Sequence, residues 1–251
     1  MTATTVAEAL RALLSGDAAQ PLVTHLGADG SRTELSIRTF ENNVAKAANL
    51  LRDDADVTAS SAVALRLPLH WQTSVWLGAC AMTGCTAWVD GDPADSSVEV
   101  AVLDPGALAA LGPETPLAPI TLASALHPFG LPFTTPLPPR VLDAAVEVRA
   151  HGDRFTAYDD VTGDSPWLRL GQRRWTQAAG LAEGSELAAM LGLRPGGRLL
   201  CARSLDATSV LALLAVPLAT GGSVVLVEDA ALSDADLEAI STSEHCDAIL
   251  R

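Results

Sequence analysis

Lysine is nearly absent from the chain: Lys46 is the only one, so arginine supplies the rest of the 16 basic residues. Against these stand 30 acidic residues, which leave a formal net charge of −14 over 251 residues. A surface of that sign repels duplex nucleic acid and anionic membranes, and we expect neither as a partner. The acidic excess is typical of a surface that maintains solubility, with a specific cationic partner as the alternative.

Paired cysteines and targeting segments are also missing. The cysteines show no C-x-x-C spacing, which predicts small buried side chains in a reducing compartment: Cys80, Cys85, Cys201 and Cys246. Residues 1–17 have no basic segment ahead of an apolar stretch, so we expect no signal peptide and a cytoplasmic protein. The apolar run Thr208–Val227 has the length of a membrane span, but Pro217 and Gly221 interrupt it and predict a buried helix followed by a strand.

Common catalytic motifs are lacking as well. The sequence has no G-x-S-x-G, and its five histidines form no H-x-x-x-H pair, so neither a serine hydrolase nor a zinc protease is expected. The run SEHCD, Ser243–Asp247, places Glu, His, Cys and Asp side by side. Successive residues point in different directions, so this run predicts a junction between a helix and a strand rather than a metal or thiolate site.

Two tryptophans form the remaining candidate pocket. His70, Trp71 and Trp76 lie at the start of a predicted helix that follows a predicted strand. Ligands of open α/β sheets bind at the carboxyl ends of strands, which makes these side chains candidate pocket residues. Ordinary core packing of the tryptophans is the alternative.

The chain contains a repeated pattern. Phe40 and Trp175 are 135 residues apart, and so are Thr73 and Thr208. Each copy contains a hairpin, a helix, a strand, a second helix and a further strand, and such parallel βαβ units predict a doubly wound α/β fold. We therefore predict a first α/β subdomain over residues 1–103 and a second over residues 151–251, packed as one compact domain.

Residues 104–150 separate the two copies. Nine of the fifteen prolines lie between residues 104 and 140. This density predicts an extended surface connector without a long helix or a central strand, with a polyproline ligand for a partner as the alternative.

The stretch TGDSP, Thr162–Pro166, has the composition of a phosphate loop but also that of a simple turn. The offset of 135 places it over Gly27–Ser31, a Gly-Ala-Asp-Gly turn between two short β-rich runs. Because equivalent positions of a repeat have equivalent backbone roles, TGDSP is predicted to be a hairpin turn between FTAYDDV and WLRLGQ.

The order of these elements resembles a known family. The stretch VALRLPLHWQTSVWLGACAMTGCTAWVDGDP looks like the start of the N-terminal domain of adenylate-forming enzymes, which include acyl-CoA synthetases, luciferases and the adenylation domains of peptide synthetases. The stretch LGLRPGGRLLCARSLDATSVLALLAVPLATGGSVVLVEDAALSDADLEAI is similar to the part that follows their phosphate loop. The chain looks closest to a group of short actinobacterial proteins of unassigned function. The resemblance implies a truncated N-terminal domain of this fold.

Enzymes of this superfamily join a carboxylate to ATP as an acyl-adenylate and usually pass the acyl group to coenzyme A. Their loop Thr-Ser-Gly-Thr-Thr-Gly-x-Pro-Lys holds the β- and γ-phosphates. On this resemblance Thr162, Gly163 and Ser165 are the positional remnant of that loop and the candidate cofactor-binding residues. Trp167 stands where the lysine belongs.

The local charges oppose phosphate binding. Asp164 lies inside TGDSP, and Asp159 and Asp160 precede it. A like-charge pair about 4 Å apart costs on the order of 4 kcal/mol at an effective dielectric constant near 20. Three arginines either supply replacement charge or form a solvated face: Arg169, Arg173 and Arg174.

The family segments that enclose adenine and carry the catalytic lysine have no counterpart in this sequence, so no catalytic residue, metal site or cofactor is assigned. We expect a non-catalytic module, a pseudoenzyme, that binds a small molecule, with an acyl compound or a nucleotide as the candidate ligand, or a partner. The alternative is a reduced AMP-forming ligase of the acyl-CoA synthetase type, or a protein that binds ATP, AMP or CoA. An unpaired strand edge near CDAIL, Cys246–Leu250, predicts a homodimer.

Overall fold

A computed structural model describes residues 3–112, 115, 117–228 and 232–251 of the chain. Twelve strands lie in the described ranges: β1 (Pro21–Leu26), β2 (Arg32–Ser36), β3 (Ala62–Arg66), β4 (Thr86–Val89), β5 (Val98–Leu103), β6 (Ile120–Ala123), β7 (Val141–Asp143), β8 (Pro166–Leu170), β9 (Arg173–Thr176), β10 (Arg198–Cys201), β11 (Ser223–Val227) and β12 (Ala248–Leu250). The same ranges contain nine helices: α1 (Val6–Leu14), α2 (Ile37–Asp53), α3 (Trp71–Thr83), α4 (Pro105–Ala109), α5 (Ala144–Arg149), α6 (Gln177–Met190), α7 (Ser209–Ala212), α8 (Ala215–Thr220) and α9 (Asp234–Ser243).

The chain forms two compact units, and neither is continuous in sequence. Unit 1 comprises Met1–Glu41, Pro68–Ser74 and Ala178–Arg251, and unit 2 comprises Asn42–Leu67 and Val75–Gln177. The predicted subdomains, residues 1–103 and 151–251, each contribute segments to both units.

Unit 1 contains a five-stranded sheet with the order β12-β10-β11-β1-β2, in which only the β1–β2 pair is antiparallel. Most residues of its central strands β10, β11 and β1 are apolar and buried, as expected for a parallel sheet that is covered on both faces. All five residues of β11, with the sequence SVVLV, are buried. Fully burying one Val or Leu side chain contributes about 1.5–3 kcal/mol, so the burial of β11 stabilises this unit by several kcal/mol.

Unit 2 contains a seven-stranded sheet with the order β7-β6-β5-β3-β4-β8-β9, in which only the β8–β9 hairpin is antiparallel. The two adjacent strands β3 and β5 form its core. Val63 and Leu65 of β3 and Val100 and Val102 of β5 have no exposed surface. The predicted doubly wound α/β fold class with a repeated unit is confirmed by these two sheets.

The repeat is clearest in the strand order. The row β12-β10-β11-β1-β2 of one sheet matches the row β5-β3-β4-β8-β9 of the other. The hairpin of each row is distant in sequence from the strand that it joins. Hairpin β1–β2 joins the later strand β11, and hairpin β8–β9 joins the earlier strand β4. Hydrogen bonding between strands, and not position in the sequence, decides to which sheet a hairpin belongs. Each unit therefore contains segments from both the N-terminal and the C-terminal part of the sequence.

The landmarks that suggested the repeat are not structurally equivalent. Phe40 lies in α2, whereas Trp175 lies in β9. In the two hairpins Val23 pairs with Leu35 and Leu168 pairs with Trp175, each just after a register shift, so the counterpart of Trp175 is Leu35. The expected offset was wrong because the first hairpin, residues 21–36, is longer than the second, residues 166–176.

The proline-rich connector contains more regular structure than its composition predicts. Four elements lie within residues 104–150: α4, β6, β7 and α5. Strand β6 pairs with β5 on one side and β7 on the other, so the expectation of no central strand was wrong. The prolines flank β6 and none lies within its four residues, so every N–H that its ladder needs is present. Residues 113, 114 and 116 of the predicted connector lie outside the described residues.

The apolar run Thr208–Val227 divides into α7, α8 and β11 rather than a single helix and a strand. Pro217 has no N–H to donate to the carbonyl of Leu213, which explains the helix break there. Gly221, with φ of 69°, ends α8 in the left-handed conformation that glycine adopts without strain. Among the residues that the structure describes, no helix is long and apolar enough to cross a membrane.

Candidate functional site

The stretch TGDSP, Thr162–Pro166, leads into β8, which begins at Pro166, and does not connect two strands. The turn of this hairpin is formed by residues 171–172, where Gly171 has φ of 56°. Residues 155–161, expected to form the strand before TGDSP, contain no strand. The prediction of a hairpin turn at TGDSP was therefore wrong.

Backbone hydrogen bonds identify the true counterpart of TGDSP. The N–H of Gln177, at the start of α6, donates to the carbonyl of Ser165 at 3.0 Å. The N–H of Ile37, at the start of α2, donates in the same way to the carbonyl of Gln20 at 2.9 Å. TGDSP thus corresponds to Asp17–Pro21, the segment that leads into the first hairpin, and not to Gly27–Ser31.

Two of the three candidate phosphate-binding residues are hydrogen-bonded to each other. The N–H of Thr162 donates to Oγ of Ser165 at 2.9 Å, and the N–H of Ser165 donates to the carbonyl of Thr162 at 3.1 Å. Gly163 and Asp164 span the turn between them. A phosphate loop requires N–H groups that point toward the ligand. In TGDSP the N–H groups of Thr162 and Ser165 instead donate to acceptors within the turn itself.

Trp167, which follows TGDSP, is a core residue. Its side chain has no exposed surface, and its Nε1 donates to the carbonyl of Leu77 at 3.0 Å. Gln177 is also fully buried and donates through Nε2 to the carbonyl of Ala81 at 2.7 Å. Both acceptors lie in α3, one helical turn apart. The indole in the place of the family lysine therefore packs and hydrogen-bonds inside unit 2.

The three candidate arginines lie on two faces of the β8–β9 hairpin. The guanidinium carbon of Arg169 is 3.4 Å from the ring centroid of Trp88, and that of Arg173 is 4.7 Å from the ring of Trp175. Arg169 pairs with Arg174 across the hairpin, so these two side chains share one face. Arg173 is adjacent to Arg174 on the same strand and projects from the opposite face.

A second candidate site is a group of buried polar side chains in unit 1. His25 lies near the carboxyl end of β1, with its ring centroid 4.2 Å from that of His70. Nδ1 of His70 accepts a hydrogen bond from the N–H of Gln72 at 3.2 Å, in the first turn of α3. Of the three residues predicted to line a pocket, His70 and Trp71 belong to this group. Trp76 is buried as well, but it belongs to unit 2.

Four buried polar atoms of this group have no hydrogen-bond partner among the described residues. They are the two ring nitrogens of His25, Nε1 of Trp71 and Oγ of Ser74. Each such atom costs about 1–3 kcal/mol if it stays unsatisfied, so a concentration of them at the end of a strand is typical of a polar ligand or an ordered water. His25 was not among the residues predicted from the sequence, although a histidine within a mostly apolar strand is a sign of a buried polar site.

The pKa of His25 makes the stability of the protein depend on pH. Burial lowers the pKa of His25, and the carboxylates of Glu228 and Asp29 act in the opposite direction. Because the pKa of an unfolded histidine is about 6.5, the unfolded state takes up the proton first as the pH falls. Stability contributed by neutral His25 is therefore present above about pH 6.5 and is lost as the pH falls from there toward the lower pKa of the folded state.

We therefore expect the free energy of unfolding to decrease from about pH 7.5 to about pH 5.5, by at most about 1.4 kcal/mol per pH unit for this one proton. A His25→Leu variant should show a smaller decrease, because it has no imidazole to protonate. Urea unfolding at the two pH values measures the difference. An identical pH dependence in the two proteins would show that His25 does not contribute.

The SEHCD segment lies between the end of α9 at Ser243 and the start of β12 at Ala248, as predicted for a junction. Its carboxylates bind arginines: Glu244 accepts from Arg32 at 2.8 Å and from Arg198 at 2.9 Å, and Asp247 accepts from Arg194 at 2.9 Å. In the part of the chain that the structure describes, no group of three or more His, Cys, Asp or Glu could hold a metal ion.

Comparison with solved structures defines the class of the fold. An acyl-CoA synthetase from Brucella canis superposes with a TM-score of 0.75 and 15% identity, over 98% of this chain and 46% of that chain. The acetoacetyl-CoA synthetase from Streptomyces lividans superposes with a TM-score of 0.69 and 21% identity, over 89% of this chain and 38% of that chain. The chain has the fold of the adenylate-forming superfamily and spans less than half the length of either enzyme.

The family follows from a closer relative. A protein of Mycobacterium tuberculosis described as a TIGR03089 family protein is 36% identical over 218 residues, which cover 86% of each chain. The chain belongs to the TIGR03089 family. No protein-family model matches the sequence. The resemblance to adenylate-forming proteins and to an actinobacterial group is thereby confirmed.

Proposed function

We propose that this protein is a non-catalytic module of the adenylate-forming fold that binds a small molecule or a partner. The observation that carries the proposal is the closure of the TGDSP turn on itself. With Thr162 and Ser165 joined at 2.9 Å, the turn has fewer N–H groups to offer to a triphosphate. The exposed carboxylate of Asp164 in the same turn adds negative charge where phosphates would lie.

The environment of Trp167 supports the same proposal. A lysine at this position would have to place its ammonium group where a buried indole donates to Leu77. An unpaired buried charge is far more costly than a buried indole, so the surrounding core favours the aromatic residue. The positions of the turn and of the tryptophan are thus accounted for without a nucleotide.

A binding experiment tests this proposal directly. A ligand present at about a hundred times its dissociation constant adds roughly 2.7 kcal/mol to the apparent stability. We expect the thermal unfolding midpoint to be unchanged by Mg·ATP, AMP, CoA and an acyl-adenylate analogue, each at millimolar concentration. A rise of the midpoint with ATP or AMP would instead favour the alternative, a reduced acyl-activating ligase or a nucleotide-binding protein.

The fold shared with two acyl-CoA synthetases supports the alternative, a reduced acyl-activating ligase. It predicts ATP–pyrophosphate exchange that depends on some carboxylate and on the TGDSP turn. Gly163→Ala is the variant to compare. Gly152→Ala is a matched control, since a Cβ added at Gly152 meets no atom within 4 Å. Exchange that is lost in Gly163→Ala and kept in Gly152→Ala would refute the non-catalytic proposal.

The oligomeric state and the cellular location of the protein stay predictions. A homodimer through the edge near CDAIL is one, and β12 does lie at one end of its sheet with β10 as its strand neighbour. The other is the cytoplasmic location.

A further inference from the structure

Two guanidinium groups and one indole share a face of the sheet in unit 2. Arg169 of β8 is directly opposite Arg174 of β9, and Trp88 of β4 is the neighbour of Arg169 on the other side. Residues at paired positions point to the same face, with Cβ atoms about 5 Å apart. Trp88, Arg169 and Arg174 therefore form a continuous row.

The first guanidinium is held in a fixed orientation. It lies 3.4 Å from the ring centroid of Trp88, which is a stacking distance. The indole is in turn packed against the backbone of Gly91, where an added Cβ would lie 2.7 Å from Cγ of Trp88. A guanidinium that is already stacked loses less freedom when its N–H groups bind a ligand.

Neither guanidinium is neutralised by a carboxylate. Among the described residues, no Asp or Glu oxygen lies within 4.0 Å of a guanidinium nitrogen of Arg169 or Arg174. Asp95 is close enough for the charge of Arg169 to help lower its pKa, but hydrogen bonds from Ser97 are the larger cause. Like charges directly opposite each other destabilise a strand pair, so this pair requires an explanation.

Protection of the sheet edge explains only part of the arrangement. Strand β9 is the outer strand of its sheet, and charged side chains on such strands prevent pairing with other chains. This accounts for Arg173 and Arg174. It does not account for Arg169, which lies on the inner strand of the hairpin and is stacked on an indole.

We propose that Trp88, Arg169 and Arg174 form a binding site for the oxyanion of a small molecule, either a carboxylate or a phosphate monoester. Arg169 donates from Nε to the carbonyl of Gly171 at 3.4 Å, which leaves its Nη N–H groups for a ligand. Two arginines at paired positions suit an anion with two or more oxygens, because each can donate a pair of hydrogen bonds. The inference rests on the proposed function as a binding module and names its site and the chemistry of its ligand. In a chain of net charge −14, this local pair is what attracts an anion.

Calorimetric titration with phenyl phosphate and with benzoate, at constant ionic strength, tests the site. The proteins are the wild type, Arg174→Gln and Arg173→Gln. Both arginines are exposed neighbours on one strand, so the second variant removes the same charge from the opposite face. We expect saturable binding by the wild type, at least tenfold weaker binding by Arg174→Gln, and less than a twofold change in Arg173→Gln. The anion that binds more tightly identifies the ligand as a phosphate or a carboxylate.

Equal affinity in the wild type and Arg174→Gln would overturn the inference, and so would the absence of saturable binding of both anions by the wild type. These results leave the proposed function intact, because they do not involve the TGDSP turn. Conversely, pyrophosphate exchange that requires Gly163 would refute the proposed function, while the dependence of anion binding on Arg174 would still stand.

Discussion

Replacing Trp167 with alanine is expected to lower the free energy of unfolding by about 4 kcal/mol, within the range of about 3–5 kcal/mol for large aromatic core residues. The side chain has no exposed surface, so its removal leaves a cavity that the surrounding structure cannot fill completely. The hydrogen bond from Nε1 to the carbonyl of Leu77 is lost as well. Urea unfolding of the wild type and the variant measures the change.

Two further variants separate the causes. Trp167→Phe retains much of the ring but removes the donor to Leu77, and we expect an intermediate loss of about 1–3 kcal/mol. Trp167→Lys introduces the residue that the adenylate-forming loop carries at this position. We expect it to be at least as unstable as the alanine variant, because it places an ammonium group in the core. A stable Trp167→Lys protein that gains stability with ATP would contradict our interpretation of this residue.

The second large effect is expected at Gly222, between α8 and β11. A Cβ added at Gly222 would overlap the carbonyl oxygen of Gly197, which is a backbone atom and cannot move aside by a change of rotamer. Relief requires β11 to move away from Gly197, to which the N–H of Ser223 donates at 3.2 Å. We therefore expect Gly222→Ala to destabilise the protein by about 3 kcal/mol or more, at the upper end of overpacking effects.

Gly152→Ala is the control for this substitution, because its Cβ meets no atom within 4 Å and its φ is not in the left-handed region. We expect a change of less than about 1 kcal/mol, and toward greater stability, because alanine restricts the unfolded chain. Thermal unfolding of the two variants gives the comparison. Equal midpoints would show that the close approach of Gly222 and Gly197 is not maintained in solution.

The α/β fold could be predicted because its signals are local. The run SVVLV of β11 is apolar after its first residue and follows Gly221 and Gly222, so a buried strand after a helix was predictable from these residues alone. The prediction that the proline-rich segment contains no central strand was wrong for a related reason. Its density of proline was averaged over residues 104–140, whereas β6 needs only four residues without proline, Ile120–Ala123.

The candidate sites depend on pairing that the sequence does not display. A constant offset could not reveal that TGDSP corresponds to Asp17–Pro21, because the two hairpins differ in length. The alignment of Arg169 with Arg174 follows from the register of one hairpin, and a shift of one residue would place them on opposite faces. His25 meets His70 only because β1 and the start of α3 fold together in unit 1.

The central claim is that Thr162–Ser165 is a structural turn rather than a phosphate cradle, and the backbone amide of Gly163 reports on it most directly. In ¹H–¹⁵N NMR spectra recorded during a titration with Mg·ATP, we expect the amide signals of residues 162–165 to keep their positions. A saturable shift of the Gly163 signal, with smaller changes elsewhere in the chain, would show that the turn binds the nucleotide and would contradict the account.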